Sequence, residues 1–314
     1  MKPILIAECC QNHNGKTNIL KKMIHEAAEN GADYVKIQAI RSKDLSFRER
    51  FENGKIDENG KILTIKRPYQ AEFDRLSKLD LTIEDENWFI EECKKAGVKS
   101  MTTVFTRTAV DEVVKSGYDA LKVASYDCAS IPLLKDLKKT SKKLFISTGA
   151  TFDYEIKETS DLMKDYDYEF LHCVTIYPTP LEDLNLERIN YLKKFNERVG
   201  YSDHSKPADS KLWASKIALA MGASNIERHY TVLDAHETKD GPVSINPKML
   251  KELRNFADLP NEEQWNIIKQ NLPNWQITLG NPTRKLSENE LLNRDYYRGR
   301  FANKSLNKEY FNWE

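Results

Sequence analysis

The sequence predicts a (β/α)8 barrel, the TIM fold, with a short C-terminal extension. Three observations carry this. Short apolar runs of strand length alternate with segments of helical period along most of the chain. The alternation yields about eight strand–helix pairs, the number that closes such a barrel. Polar residues also collect where the strands run into their following loops, which is where a barrel keeps its site. The alternative is a doubly wound open sheet, but no GxGxxG follows the first strand, so its dinucleotide-binding version lacks support.

Ile4-Leu5-Ile6-Ala7 predicts the first strand. A helix follows from Thr17 to Asn30, apolar at Ile19, Leu20, Met23, Ile24, Ala27 and Ala28, with Gly31 as its C-cap. Tyr34 to Gln38 is the second strand. Arg41 to Leu81 is a long polar insertion with Gly54, Gly60 and Pro68, of a length that usually covers a site. The alternation then resumes with strands at 99–104, 120–124, 144–147, 168–173, 198–202 and 224–229. Helices are expected at 83–96, 108–116, 131–138, 154–164, 186–195, 209–221 and 246–256. Residues 1–258 are thus the barrel. Residues 259–314 change in texture, with Trp265, Trp275 and Trp313, many Asn, and a cation-aromatic run from Arg294 to Phe301. They read as a linker-like extension packing on this barrel or on a partner, too short for a second full domain.

The totals exclude several classes. Lys+Arg and Asp+Glu both number 48 in 314 residues, so no general field favours nucleic acid or a membrane surface. Five cysteines without a CxxC spacing argue against a disulfide framework. The opening apolar run is too short for a signal peptide, and no segment approaches bilayer length. The expectation is a soluble cytoplasmic protein.

The strand ends supply the candidate chemistry. His204 and His229 stand at the ends of the last two strands, where two imidazoles can hold a divalent metal with positions left open. The alternative is two satisfied loop or core histidines. Lys36 and Lys122 each lie inside an apolar strand, and a buried ammonium needs an anionic partner. That partner is either an internal carboxylate such as Glu8 or Glu227, or a phosphate or carboxylate ligand. Together with Ser125, Ser147, Thr148 and Ser202, the lysines resemble a side-chain phosphate cradle. Glu8 and Asp127 are candidate acid–base groups, or neutralise the metal or a lysine. Cys9 and Cys10 could ligate metal, but small buried thiols are the expected state. His13 and His172 read as structural.

These residues resemble the sialic acid (N-acetylneuraminate) synthase family. The matches run in order: Ile6-Ala7-Glu8 with Asn12-His13-Asn14-Gly15; Gly31-Ala32-Asp33-Tyr34-Val35-Lys36-Ile37-Gln38; Lys122-Val123-Ala124-Ser125; Ile146-Ser147-Thr148-Gly149. They continue with Leu171-His172-Cys173, Tyr177-Pro178-Thr179-Pro180, Ser202-Asp203-His204 and Gly222-Ala223-Ser224 with Ile226-Glu227-Arg228-His229. The resemblance spans roughly Ile4 to Leu253 and implies a TIM barrel that condenses phosphoenolpyruvate with a sugar aldehyde. It implies a divalent metal, Mn or Mg, on His204 and His229. It implies phosphate and carboxylate contacts from Lys36, Lys122, Ser125, Ser147 and Ser202, with Glu8 and Gln38 facing sugar hydroxyls and Tyr177 in the same site. Three departures stand out. Asp127 replaces the family's Glu, Thr175 stands where Asn is usual, and the altered stretch Thr238 to Ser244 leaves Asp240 as the acidic residue. The family usually continues into an antifreeze-like C-terminal domain, and none is expected within Leu259 to Glu314.

The expected function is therefore a carbohydrate-biosynthetic transferase. It joins phosphoenolpyruvate to an open-chain N-acetylated or related aldose, giving a 2-keto-3-deoxy sugar acid and phosphate. The rivals are a synthase for a phosphorylated aldose, a metal-dependent aldolase or hydrolase, and a non-catalytic sugar-binding or assembly barrel. A homodimer is expected, with Arg298 or Arg300 reaching a partner's sugar site and Tyr296 and Tyr297 at the interface.

Overall fold

In the computed structural model, residues 2–305 and 308–311 are described; Trp313 lies outside them. Eight parallel strands close on themselves: β1 (Ile4–Cys10), β2 (Tyr34–Ala39), β3 (Lys99–Val104), β4 (Ala120–Val123), β5 (Lys143–Ser147), β6 (Tyr168–His172), β7 (Val199–Asp203) and β8 (Asn225–His229). Each pairs with its chain neighbours, and β8 returns to β1 with Ile4 opposite Asn225 and Glu8 opposite His229. This is the TIM barrel that the alternation predicts.

Side chains two apart on a strand share a face. That rule sorts the barrel interior into layers. Ile6, Tyr34, Met101, Ala120, Phe145 and Leu171 form a buried apolar plug. Two residues further along the same strands come Glu8, Lys36, Thr103, Lys122, Ser147 and Cys173, all buried. The plug is thus an apolar floor under a polar layer. The outward positions, including Leu5, Ala7, Val35 and Ile37, pack against the helices in the main core. Gly200 is required on β7, because a Cβ there would stand 2.1 Å from the Asn225 carboxamide oxygen.

The helical segment expected over 209–221 is split into Pro207–Ser210 and Trp213–Ala220. Lys211 and Leu212 both take left-handed backbone conformations, φ 46° and 63°, which no continuous right-handed helix accommodates. Just above, Asp203 and Arg228 form a fully buried ion pair at 2.6 Å. Asp203 also accepts from the Ser215 hydroxyl and the Ser205 amide. Burial alone would raise the Asp203 carboxyl, but these partners hold it below the usual range. Asp203 therefore fastens the β7 loop rather than facing substrate.

The insertion after β2 forms a small hairpin, Lys55–Ile56 with Ile62–Thr64, and a helix, Tyr69–Ser77. After the barrel, helix Asn261–Asn271 docks on the barrel's side, where Asn261 donates to the Ala220 carbonyl. Helix Glu288–Tyr297 lies at the barrel mouth. Ser287 and Glu290 form a capping box at its start, and Arg284 pairs with Glu290 at 2.6 Å. Ser287→Ala should cost this helix about 1 kcal/mol. Faster amide exchange across Glu288–Tyr297 would show it; unchanged exchange would mean that contacts to the barrel alone hold the helix. Among the described residues no helix is long and apolar enough to cross a membrane.

Candidate active site

A cavity of about 460 Å³ opens at the C-terminal ends of the strands. The polar layer of the barrel forms its floor. Glu8, Lys36, Gln38, Lys122, Ser125, Ser147, Thr175, Tyr177, Ser202, His204, Asp240 and Arg300 all line it, with Glu227 and His229. The strand ends bring together most of the residues expected from the sequence.

The floor is a chain of alternating charges. Lys36 pairs with Glu8 and stands 3.4 Å from Glu227. Lys122 reaches the other Glu227 oxygen at 2.9 Å. Lys36 also donates to Thr103 at 3.0 Å, and Ser202 donates to Glu227 at 2.8 Å. All four charged residues are at most 5% exposed. Burial favours the neutral form of each, but the two lysines outweigh it at Glu227 and hold that carboxyl far below its ordinary range. Glu227 and Glu8 likewise overcome burial at Lys36 and raise it. At Lys122 burial prevails over Glu227, and the ammonium is pulled down. Both lysines are thus paired with internal carboxylates, the alternative to a waiting ligand, because a buried ammonium so close to two glutamates takes them as partners.

The same cavity is lined by the hydroxyl residues Ser125, Ser147 and Thr175. Ser147 Oγ and Thr175 Oγ1 are buried without a hydrogen-bond partner. Each such atom costs on the order of 1–3 kcal/mol unless a ligand satisfies it. Ser125 Oγ lies 3.0 Å from Cys173 Sγ. Gly149 permits this crowding, since a Cβ there would sit 2.5 Å from Cys173 Sγ and 2.9 Å from Ser125 Oγ.

The two histidines differ. His204 Nδ1 faces the Val174 carbonyl at 2.9 Å, so that nitrogen carries the proton. Its Nε2 then accepts from the Tyr177 hydroxyl at 2.9 Å, and the two rings stack at 4.0 Å. Burial, and then His229, draw the His204 imidazole down to about 3, so it is neutral. His229 is 8% exposed, and its Nδ1 has no partner. The rings lie 5.5 Å apart between centroids. Of the two, His229 gathers with further donors: single ligand atoms of Cys10, His229 and Asp240 all lie within 4.8 Å of one another. An imidazole beside a carboxylate and a thiol is a donor set that fits a divalent cation. Of the expected His204–His229 ligand pair, His229 belongs to a group that could hold a metal, whereas His204 Nε2 is already engaged by Tyr177.

Other expectations need correction. Asp127 does not line the main cavity; it faces a small side cavity of about 30 Å³ with Tyr126, Tyr297 and Arg300. It sits in a 3-10 turn, Ser125–Asp127, that directs Ser125 rather than Asp127 toward the floor. Arg298 is turned away to Glu155 of its own barrel at 2.9 Å, beside Arg294. Tyr297 stacks on Tyr126 at 4.7 Å, and Tyr296 packs edge-on against Phe51 at 5.1 Å. The tail thus closes over its own barrel, with Asn293 donating to the Thr175 carbonyl at 3.1 Å. His13 and His172 are held in local hydrogen bonds, His172 to the Leu184 carbonyl at 2.7 Å.

The family model for the NeuB family matches residues 23–260. The chain belongs to the NeuB family. Among NeuB-type relatives, N,N'-diacetyllegionaminic acid synthase of Campylobacter jejuni is 32% identical over 80% of this chain and 74% of its own. The Legionella pneumophila enzyme of the same name is 29% identical over 93% of this chain and 77% of its own. The crystal structure of N-acetylneuraminic acid synthetase from Leptospira borgpetersenii superposes with a TM-score of 0.69 at 28% identity, covering 87% of this chain and 93% of that one. Spore coat polysaccharide biosynthesis protein SpsE of Bacillus subtilis gives 0.72 at 25% identity, over 94% and 77%.

This NeuB-family site also contains cations that the sequence did not mark. Arg67, Arg75 and Lys239 join Arg300 at the rim. Arg75 and Arg300 share Glu72, with Arg75 at 2.9 Å. Burial would raise the Glu72 carboxyl, but Arg75 and Arg300 hold it at about 2. These residues come from the insertion and from loops, where no period signals which way a side chain turns.

Proposed function

We propose that this chain condenses phosphoenolpyruvate with the open-chain aldehyde of an N-acetylated or diacetamido aldose, giving a 2-keto-3-deoxy sugar acid and phosphate. One observation carries this reading: a single cavity joins unpartnered anion-binding hydroxyls and buried lysines to a metal-competent cluster at His229. The names of the NeuB-family relatives agree with it.

Lys122, Ser125, Ser147 and Thr175 hold the phosphate and carboxylate of phosphoenolpyruvate. The ligand satisfies the two orphaned hydroxyls and competes with Glu227 for Lys122. His229 and Asp240 would hold a divalent cation, which would supply Lewis acidity toward the aldehyde oxygen. The methylene carbon of phosphoenolpyruvate bonds to the aldehyde carbon, leaving positive charge at the former enol carbon. Water adds there, and Glu8, in the cavity wall, orients it. The tetrahedral product then expels phosphate, while the lysines stabilise the shifting charge by position rather than proton transfer. His204 orients Tyr177, whose ring walls the site.

The test supplies phosphoenolpyruvate, a divalent metal and a panel of aldoses: N-acetylmannosamine, its 6-phosphate, mannose and 2,4-diacetamido sugars. Phosphate release with a product of the condensed mass supports the proposal. No phosphate release with any aldose would leave the non-catalytic barrel standing. One second reading is a phosphorylated acceptor, because Arg67, Arg75, Lys239 and Arg300 all line the cavity and Glu72 pairs with only Arg75 and Arg300; preference for the 6-phosphate would select it.

Arg300→Ala should raise the acceptor's KM about tenfold or more, the worth of one charge-assisted hydrogen bond, and spare that of phosphoenolpyruvate. Equal changes in both would make Arg300 a closure residue instead. Because Arg300 lines its own barrel, mixing Arg300→Ala with His229→Ala chains should restore nothing; restored activity would return the arginine to a partner.

A further inference from the structure

We infer that Cys10 is a thiolate ligand, so that the metal centre is a cysteine–histidine–aspartate set suited to zinc, iron or cobalt rather than magnesium. The inference deepens the proposed function but is tested without substrate, so the two can fail separately.

Three features of the chain converge on the Cys10 sulfur. The β1–β2 register shifts between Glu8 and Cys10, which marks a bulge. A bulge re-aims the side chain that follows it. Cys10 then takes φ 47°, a left-handed conformation that a side chain adopts at a cost. Its Sγ lies 3.0 Å from Asp240 Oδ2, across 230 residues of chain. The second, independent feature is His229, which is buried and whose Nδ1 has no protein partner.

The distances suit one ion. Ligands at about 2.0–2.3 Å from a shared metal stand at most about 4.6 Å from one another. Around a tetrahedral ion the ligand atoms stand about 3.3–3.7 Å apart, so an ion would draw in a set that now lies within 4.8 Å. Without a cation, the Cys10 S–H donates to Asp240. On binding, that proton leaves to solvent, one per site, and sulfur and carboxylate both face the ion. A thiolate selects borderline and soft metals, whereas magnesium prefers oxygen donors and keeps its waters.

The experiment titrates the metal-stripped full chain with Co2+ alone. One equivalent should produce a thiolate-to-cobalt charge-transfer band in the near ultraviolet. Zn2+ at one equivalent should remove the band; Mg2+ in large excess should not. Cys10→Ser should lose the band and bind Co2+ at least about tenfold more weakly. Cys10→Gly is the companion variant, because glycine accepts the left-handed backbone and keeps the fold even if serine does not. Failure of cobalt to bind the wild type, binding without the band, survival of the band in either variant, or displacement by equimolar Mg2+ would each overturn the assignment.

Discussion

Replacing His229 by alanine should lower turnover by about 10³-fold or more and leave the unfolding midpoint nearly unchanged. A Lewis acid on a carbonyl oxygen is worth several kcal/mol of barrier, and about 4 kcal/mol is a thousandfold. Stability is spared for a local reason. His229 Nδ1 has no protein partner, so its removal strands nothing. His204 provides the contrast. Its two nitrogens serve the Val174 carbonyl and the Tyr177 hydroxyl, and His204→Ala leaves both without a partner. That variant should lose about 1–3 kcal/mol of stability as well as activity. Bound metal per chain, counted after dialysis, should fall with His229→Ala and persist with His204→Ala. Full metal content in the His229 variant would remove that residue from the ligand set.

Much of this arrangement was legible because a barrel writes itself in a local code. The strand at Lys99–Val104 and the helices at Ile83–Ala96 and Ile131–Lys138 fall where their patterns place them, since apolar period and length are fixed by each element alone. The same rule carried Lys36, Lys122, Ser147 and Ser202 to the mouth. What stayed hidden depends on partners distant in sequence. For both lysines the sequence leaves two partners open, an internal carboxylate such as Glu8 or Glu227 or an anionic ligand, because no local pattern states which of them closes on the ammonium. Cys10 is the buried thiol that the sequence leads one to expect, but its register shift and its approach to Asp240 are tertiary facts that no local pattern states. The tail was the hardest. Gly299 takes φ 72° between Arg298 and Arg300, so one arginine pairs with Glu155 while the other enters the cavity. Asp127 is a candidate acid–base group by its place after a strand, but it ends a 3-10 turn and lines the side cavity.

Lys122→Met should destabilise the protein by roughly 3–5 kcal/mol, the cost of stranding a buried carboxylate. It leaves Glu8, Lys36 and Glu227 with one uncompensated negative charge. Loss of stability alone would not reveal whether Lys122 also serves the substrate. The double variant Lys122→Met/Glu227→Leu separates the two roles. It removes one cation and one anion together, and Lys36 keeps Glu8, so the buried charge is balanced again. Apolar replacements of a buried ion pair are often neutral or stabilising, so the urea midpoint should return most of the way. Phosphoenolpyruvate affinity should not return. It should stay about 10- to 100-fold weaker, since a charge-assisted hydrogen bond of roughly 1.5–3 kcal/mol has gone. The pH dependence gives an independent check. Glu227 is held below its ordinary range in the fold, so its contribution is complete above the unfolded carboxylate value of about 4.3 and fades as pH falls toward the folded value. The double variant lacks that group and should lose less stability between neutral and acid pH than the wild type. Wild-type affinity for phosphoenolpyruvate in a stable double variant would make Lys122 a purely structural partner of Glu227 and move the phosphate site to the rim cations.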